Sequence, residues 1–378
     1  MRRSLSRADR RLRRELWVEW ATVACDEGEV RADAVRLGLR ARRYTRWMHE
    51  SSALRHPAHT KQDDELVRAR RMLGDLELIV CSDGTYLLDG GAMFGVVPKP
   101  MWEKRTRADE ANRILLGLNT VVVRTGGAVV LIETGIGNKQ PAKMREIHQN
   151  QARLPDSLAA AGVRVEEVTH VVNTHLHFDH CGWNTTLGAD GVSRPTFPHA
   201  RYFAAAGELA HGRLQLERDR VSYLGPNYDP LIESGQLTLI DLGGRGGFTA
   251  EDARLRVGDG MALPPVRIQT EAEIVPGVSV ENLPGHTASM LGVHIEARAH
   301  GGATEHACYA GDLVPTHHHL DATWVMGYDL DPLTCIAERK RFLARAVPEK
   351  WLVLFTHDHQ VPAAFVEWND KGKPVISG

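Results

Sequence analysis

From residue 75 onward the chain reads as short apolar runs broken by turns and by stretches of helical spacing, the pattern of layered α/β structure. Leu76-Glu77-Leu78-Ile79-Val80 reads as a strand. Residues 114–123 and 128–132 are two further apolar runs, and Arg124-Thr125-Gly126-Gly127 between them is a hairpin signal. Leu154, Leu158 and Ala161 share a face at helical spacing, with Gly162 placed to end the helix. Val168-Thr169-His170-Val171-Val172 then reads as a buried strand, and residues 291–296 alternate as a half-buried one that makes His294 a non-ligand. Asp331-Pro332 reads as cap and first helical residue, and Leu333, Ile336, Leu343 and Val347 form one apolar face up to Pro348. That helix leads into Trp351-Leu352-Val353-Leu354, another apolar run.

Two stretches break this pattern. Residues 89–102 carry the glycines and prolines of a loop, yet Met93, Phe94, Val96 and Trp102 are unusual for a loop facing water. Such a segment lines a pocket or tucks under the core. Residues 242–273 lack a clear period and are rich in glycine, so they read as an insertion, either a mobile loop over a site or a surface elaboration. No internal repeat is evident.

The densest chemistry lies in Thr174-His175-Leu176-His177-Phe178-Asp179-His180, where three imidazoles and a carboxylate leave the end of a strand together. One histidine among 19 carries no such meaning, because a solvated or hydrogen-bonded imidazole is the ordinary case. Four candidate ligands within six residues differ, since a buried run of ionisable groups is costly unless paired or metallated. Side chains two apart on an extended segment point the same way, so His175 and His177 can grip one ion while Asp179 and His180, past a bend, grip another.

The segment H-L-H-F-D-H resembles the signature of the metallo-β-lactamase superfamily, and matching pieces recur downstream in Pro284-Gly285-His286-Thr287, Ala310-Gly311-Asp312 and Phe355-Thr356-His357-Asp358. The resemblance implies an α/β fold, a metallo-β-lactamase-like αββα four-layer sandwich, with metal held at strand ends. It implies that His175, His177 and His286 hold one ion, that Asp179, His180 and His357 hold the other, and that Asp312 bridges both. Asp179 and Asp312 are then the catalytic carboxylates. Zinc fits imidazole and carboxylate ligands, as do iron, manganese and cobalt, so the implied cofactor is two divalent ions with zinc first. Residues 89–99, Leu313-Val314-Pro315-Thr316-His317-His318-His319, Trp324-Val325 and Tyr328-Asp329 are further similar to the YtnP-type quorum-quenching lactonases, a likeness running from about residue 72 to the C-terminus without the insertion. It implies that a metal-bridging hydroxide opens a lactone ring, with N-acyl homoserine lactones as the substrate class.

Two positions depart from that pattern. Glu133 stands where many relatives carry an aspartate that orients metal ligands, and Pro315 stands where better-studied lactonases carry a carbonyl-polarising tyrosine. His317, His318 and Tyr328 are the substitutes the sequence offers, while Met93 and Phe94 are the apolar pocket residues; the histidine run equally suits a solvated loop. The same metal water attacks ester, thioester or phosphoryl centres, so an organophosphate triesterase, aryl esterase or thioesterase is the alternative. A non-catalytic metal binder is a third, disfavoured because structural zinc sites close with four protein ligands and no bridging carboxylate.

Composition narrows the remainder. The 378 residues carry a net charge of −2, with 43% hydrophobic and 25% charged, which suits one large or two ordinary domains and argues against a general polyanion binder. Residues 1–71 hold 18 Lys+Arg against 11 Asp+Glu, and the rest holds 28 against 37. We read 1–71 as a basic N-terminal extension, helical or poorly ordered, that could also be a mis-set translation start, and 72–378 as the hydrolase domain. Cys25, Cys81, Cys181, Cys308 and Cys335 are widely spaced without a C-x-x-C pair, which suits a reducing cytoplasm, and Cys181 reads as a small packed residue beside the site. The expected partner is a small-molecule substrate, with no membrane and no nucleic acid, and a homodimer is compatible.

Overall fold

The structure is a computed structural model that describes residues 56–377 apart from 57, 244–266, 271 and 300. The basic extension up to residue 55 and most of the expected insertion lie outside the described residues. Two sheets dominate. The first contains β1 (Val67–Leu73), β2 (Leu76–Asp89), β3 (Arg113–Thr125), β4 (Ala128–Ile132) and β5 (His170–Val172). After a small hairpin of β6 (Thr185–Leu187) and β7 (Ser193–Pro195), it continues with β8 (Arg201–Ala205), β9 (Leu237–Ile240) and β10 (Arg267–Gln269), in the order β1-β2-β3-β4-β5-β8-β9-β10. The second sheet keeps chain order through β11 (Glu273–Val275), β12 (Val278–Asn282), β13 (Leu291–Arg298), β14 (Thr304–Tyr309), β15 (Leu352–Leu354), β16 (Ala363–Trp368) and β17 (Pro374–Ser377). The helices are α1 (Gly90–Phe94), α2 (Lys99–Trp102), α3 (Ala142–His148), α4 (Leu154–Ala160), α5 (Ala206–Leu214), α6 (Asp229–Glu233) and α7 (Pro332–Ala346).

Strand alternation makes the layers. In β2, Leu78 and Val80 face the second sheet and share one apolar cluster with Val293, Ile295 and Leu352, whereas Ile79 and Cys81 turn outward against Leu154 and Leu158 of α4. On the far side, Cys308 and Val353 pack against Phe342, Leu343 and Ala346 of α7. Helix, sheet, sheet and helix therefore stack as an αββα sandwich. The hairpin between β3 and β4 turns on Gly126 (φ 50) and Gly127 (φ 89), both in the left-handed region that a two-residue turn with matching twist requires.

The structure corrects several expectations. One compact unit starts at His56, and the boundary expected between residues 71 and 72 falls inside β1, which pairs with β2 from Val67↔Cys81 to Leu73↔Leu76. Arginines masked this strand. It is an edge strand, where Arg71 covers the Phe365 ring at 5.0 Å and charge discourages further pairing. Within the expected insertion, residues 267–269 form β10, parallel to β9. Residues 89–102 are two short helices, not a loop: the Asp89 side chain caps α1 by accepting from Ala92 N at 2.8 Å, and Gly95 (φ 53) ends it where a Cβ would meet Val325 O at 2.6 Å. Leu333 is 77% exposed, and the buried face of α7 is instead Cys335, Glu338, Arg339, Phe342, Leu343 and Ala346. Arg339 is buried because it donates to the carbonyls of Leu313 at 2.8 Å and Trp324 at 2.9 Å, so it holds the segment that follows β14. Finally, β13 is buried on both faces over residues 291–295, since Leu283 lies against Gly292 and the His306 and Trp351 rings against His294 on the side expected to be wet.

Candidate metal centre

Every expected ligand stands just beyond the end of a strand, on one edge of the sandwich. His175, His177, Asp179 and His180 follow β5, His286 follows β12, Asp312 follows β14 and His357 follows β15. A sheet converts distance along the chain into proximity at its edge, so residues from 175 to 357 meet. The turn after β5 is tight: the N–H groups of His180 and Cys181 both donate to His177 O at 3.1 Å.

The side chains form two neighbouring groups. In one, His177 Nδ1 lies 3.0 Å from His175 Nε2 and 3.2 Å from His286 Nε2. In the other, His357 Nε2 lies 3.2 Å from His180 Nε2 and 3.7 Å from Asp179 Oδ2. Ligand atoms of each trio, His175/His177/His286 and Asp179/His180/His357, all lie within 4.8 Å of one another. Asp312 joins the two, with Oδ1 at 3.2 Å from His357 Nε2 and Oδ2 at 3.5 Å from His286 Nε2.

These residues fit metal ions. Neutral imidazoles cannot all satisfy one another at such spacing, and His177 Nε2, His180 Nδ1 and Asp312 Oδ1 are buried without a hydrogen-bond partner in the structure. Burial and the surrounding imidazoles hold His175 and His177 well below the usual histidine range, so both are neutral donors. Burial opposes the charge on Asp312, yet His357 and His180 hold it well below the carboxylate range. At those two imidazoles and that carboxylate the protonation state is the one that metal binding requires, whereas at His180 and His286, where burial opposes the charge but Asp312 raises both, a bound ion would displace protons.

Neighbouring groups fix the ring orientations. His357 Nδ1 stands 3.0 Å from Gly117 O, and His286 Nδ1 stands 3.0 Å from Asp329 Oδ1, which leaves each Nε2 free to face the centre. Glu133, the departure noted in the sequence, is 1% exposed. It accepts from the Thr174 hydroxyl and, at 2.8 Å, from Thr174 N, while its Oε1 lies 3.5 Å from His180 Nδ1. Its backbone lies at φ 61, in the left-handed region. Cys181 turns its thiol toward the carbonyls of His177 (3.2 Å) and Leu176 (3.4 Å), away from any ligand role.

A cavity of about 260 Å³ opens over the centre. His177, Asp179, His286, Asp312 and His357 line its floor; Leu88, Met93, Met144, Phe178, Met326 and Leu330 make an apolar wall, and Tyr86, Tyr328 and Arg218 add polar groups. Of the pocket residues expected from the sequence, Met93 and Tyr328 line this cavity. Phe94, His317 and His318 do not line this cavity. Phe94 is stacked between Trp102 (5.4 Å) and His319 (5.1 Å), His317 pairs with Asp358, and His318 lies against His317 at 3.9 Å. Apolarity and imidazole content pointed to them, but contacts beneath the wall claimed them.

Two residues at the centre escaped the sequence reading. Tyr86 donates to Asp179 Oδ2 at 2.7 Å, and its ring lies 5.5 Å from that of His357. It sits inside a long strand, where a tyrosine reads as packing. Asp329 appeared only as part of a motif; its carboxylate also accepts from Met326 N at 2.9 Å, so it ties His286 to the cavity wall. A buried aspartate two residues before a helix cap was the available signal.

Comparison with known proteins agrees with this architecture. The first solved structure compared is a "probable metal-dependent hydrolase" from Staphylococcus aureus, 25% identical, with a TM-score of 0.64 over 81% of this chain and 99% of that one. AidC, described as a dizinc quorum-quenching lactonase, is 19% identical with a TM-score of 0.61 over 82% and 97%. The hydrolase AbOPH of the beta lactamase superfamily is 19% identical, with a TM-score of 0.60 over 81% and 95%. At 19% identity these likenesses concern the fold. The profile of the metallo-beta-lactamase superfamily matches residues 114–357, well over half of the sequence and including all seven side chains gathered at the centre, and the chain belongs to that superfamily.

Proposed function

We propose that the protein hydrolyses a lactone ring, with N-acyl homoserine lactones as the substrate class, at a centre of two divalent ions. One observation supports this reading above the others: the floor formed by His177, Asp179, His286, Asp312 and His357 lies beneath a largely apolar wall. A neutral lactone with an acyl chain matches both surfaces, whereas a polyanion would meet Asp179 and Asp312 across Leu88, Met93 and Phe178. AidC, similar in fold, is described as a lactonase in complex with a product.

His175, His177 and His286 would hold one ion, and Asp179, His180 and His357 the other, with Asp312 shared. Bound there, divalent ions supply Lewis acidity and a water ionised near neutral pH. The chain supplies the rest. Asp179, held by the Tyr86 hydroxyl at 2.7 Å, is placed to take the proton released when water adds to the carbonyl carbon and to return it to the alkoxide as the ring C–O bond breaks. Tyr328 on the cavity wall is placed to donate to a substrate oxygen in the role that Pro315 cannot fill. Met93, Met144 and Phe178 exclude water around the acyl chain.

The same cavity admits a neutral phosphotriester or aryl ester, which keeps an organophosphate triesterase or esterase as the second reading. The test is pH-indicator hydrolysis of short- and long-chain N-acyl homoserine lactones by zinc- or manganese-reconstituted protein, with paraoxon and an aryl ester alongside. Lactone turnover that disappears in His177→Ala is the expected result. Turnover of paraoxon or the aryl ester alone would move the function to the second reading.

A further inference from the structure

Glu208 of α5 is a buried carboxylate that the chemistry above does not use. It is 1% exposed and, among the described residues, belongs to none of the three-residue groups able to hold a metal. Its Oε2 accepts from the backbone N–H of Leu176 at 3.2 Å and from the Tyr223 hydroxyl at 3.1 Å, and its Oε1 accepts from the Thr287 hydroxyl. Leu176 sits between His175 and His177, and Thr287 follows His286, so one side chain grips both turns that carry this trio. The third donor completes the arrangement: the Tyr223 ring stands edge-on to His177, with centroids 4.8 Å apart at 72°. Packing alone does not call for this residue, since a leucine would fill similar volume without burying a carboxylate at a cost.

We propose that Glu208 is a positioning residue for the His175–His177–His286 group, setting the separation of its two turns and the tilt of the His177 ring. The inference rests on the metal reading of that group. Its chemistry predicts an order among substitutions. A carboxylate accepts all three donors. An amide with its oxygen in the Oε2 position accepts from the Leu176 N–H and the Tyr223 hydroxyl and donates to the third partner, the Thr287 hydroxyl, which accommodates it by reversing its own bond. Leucine serves none. Groups that orient metal ligands typically contribute 10–100-fold to metal affinity, so Glu208→Leu weakens binding by about that factor and Glu208→Gln recovers most of it.

The test is cobalt(II) titration of the full chain against a competing chelator, recording the visible ligand-field spectrum as well as affinity. Expected are an altered spectrum and weakened binding in Glu208→Leu, with Glu208→Gln close to wild type. Thr287→Val cuts only the tie to the His286 turn and covers the case in which Glu208→Leu fails to fold; a loss of about tenfold in affinity with a changed spectrum is expected. Folded Glu208→Leu or Thr287→Val protein with wild-type spectrum and affinity overturns the inference alone. Wild-type protein that takes up no cobalt overturns the metal reading, and this inference with it.

Discussion

Beyond the strand ends, five imidazoles converge with Asp179 and Asp312 on shared points, and three of their polar atoms lack partners. A second histidine group lies under α7, where His294 of β13 and His306 of β14 stand 2.8 Å apart. Here the two rings bond to each other, and the one buried atom without a hydrogen-bond partner, His294 Nε2, faces a carboxylate. His294 faces Glu281 at 3.6 Å, Glu281 is held by Arg345 at 2.8 Å, and the Trp351 ring covers His306 at 4.1 Å. The first group is open and asks for a cation from outside; the second already contains its own in Arg345 and a shared histidine proton. Histidine number does not separate them. What separates them is whether lone pairs aim at a common point or at neighbours.

That contrast can be broken most severely at Asp312. Asp312→Ala removes the carboxylate shared by both trios, and turnover should fall about a thousandfold, equivalent to roughly 4 kcal/mol of transition-state stabilisation. Metal analysis should show fewer ions per chain; two ions with normal turnover would refute its placement between the groups. Asp329→Ala frees His286 Nδ1, and metal affinity or activity should drop by about 10–100-fold. Chelator competition reads this directly, and an unchanged affinity would mean that backbone contacts alone hold the ring. Tyr86→Phe leaves Asp179 without its donor and should cost about tenfold in kcat, the lower end of a lost charge-assisted hydrogen bond, with little change in KM.

The closed group should respond to pH in stability rather than in chemistry. Burial, His294 and Arg345 push His306 down to about 4, below its ordinary value near 6.5. The unfolded chain therefore binds more protons across that interval, and stability present above pH 6.5 is lost as pH falls toward 4. On the order of 1–2 kcal/mol is expected for a group with some solvent contact, and His306→Phe should flatten that limb of a denaturation profile. Smallest of all, His306→Phe should leave metal content unchanged and turnover within about twofold, since the pair shares no contact with the centre. A loss of metal in that variant would join the two groups and end the contrast.

The metal motif was legible because its four residues lie within six positions, so the chain needs only a strand end and a bend to assemble them. His286, Asp312 and His357 were found because each ends an apolar run, and the β3–β4 hairpin because its glycines are local. Other features left weaker traces. Arg70 and Arg71 made β1 look solvated, although an edge strand tolerates arginine. The buried face of α7 could not be read from hydropathy, because Arg339 is stabilised there by carbonyls of residues 313 and 324. Phe94 and His317 were plausible pocket residues until Trp102, His319 and Asp358 claimed them.

By itself the sequence determined the layered class, the superfamily motif and the residue types able to hold metal, since each depends on period or spacing along a few turns of chain. Only the tertiary structure decided which side chains complete the centre. Tyr86 reaches Asp179, Asp329 reaches His286 and Glu208 reaches two turns at once, because sheet packing brings chain-distant groups to one edge. A hydrogen bond acts over about 3 Å of space and carries no trace of separation in sequence.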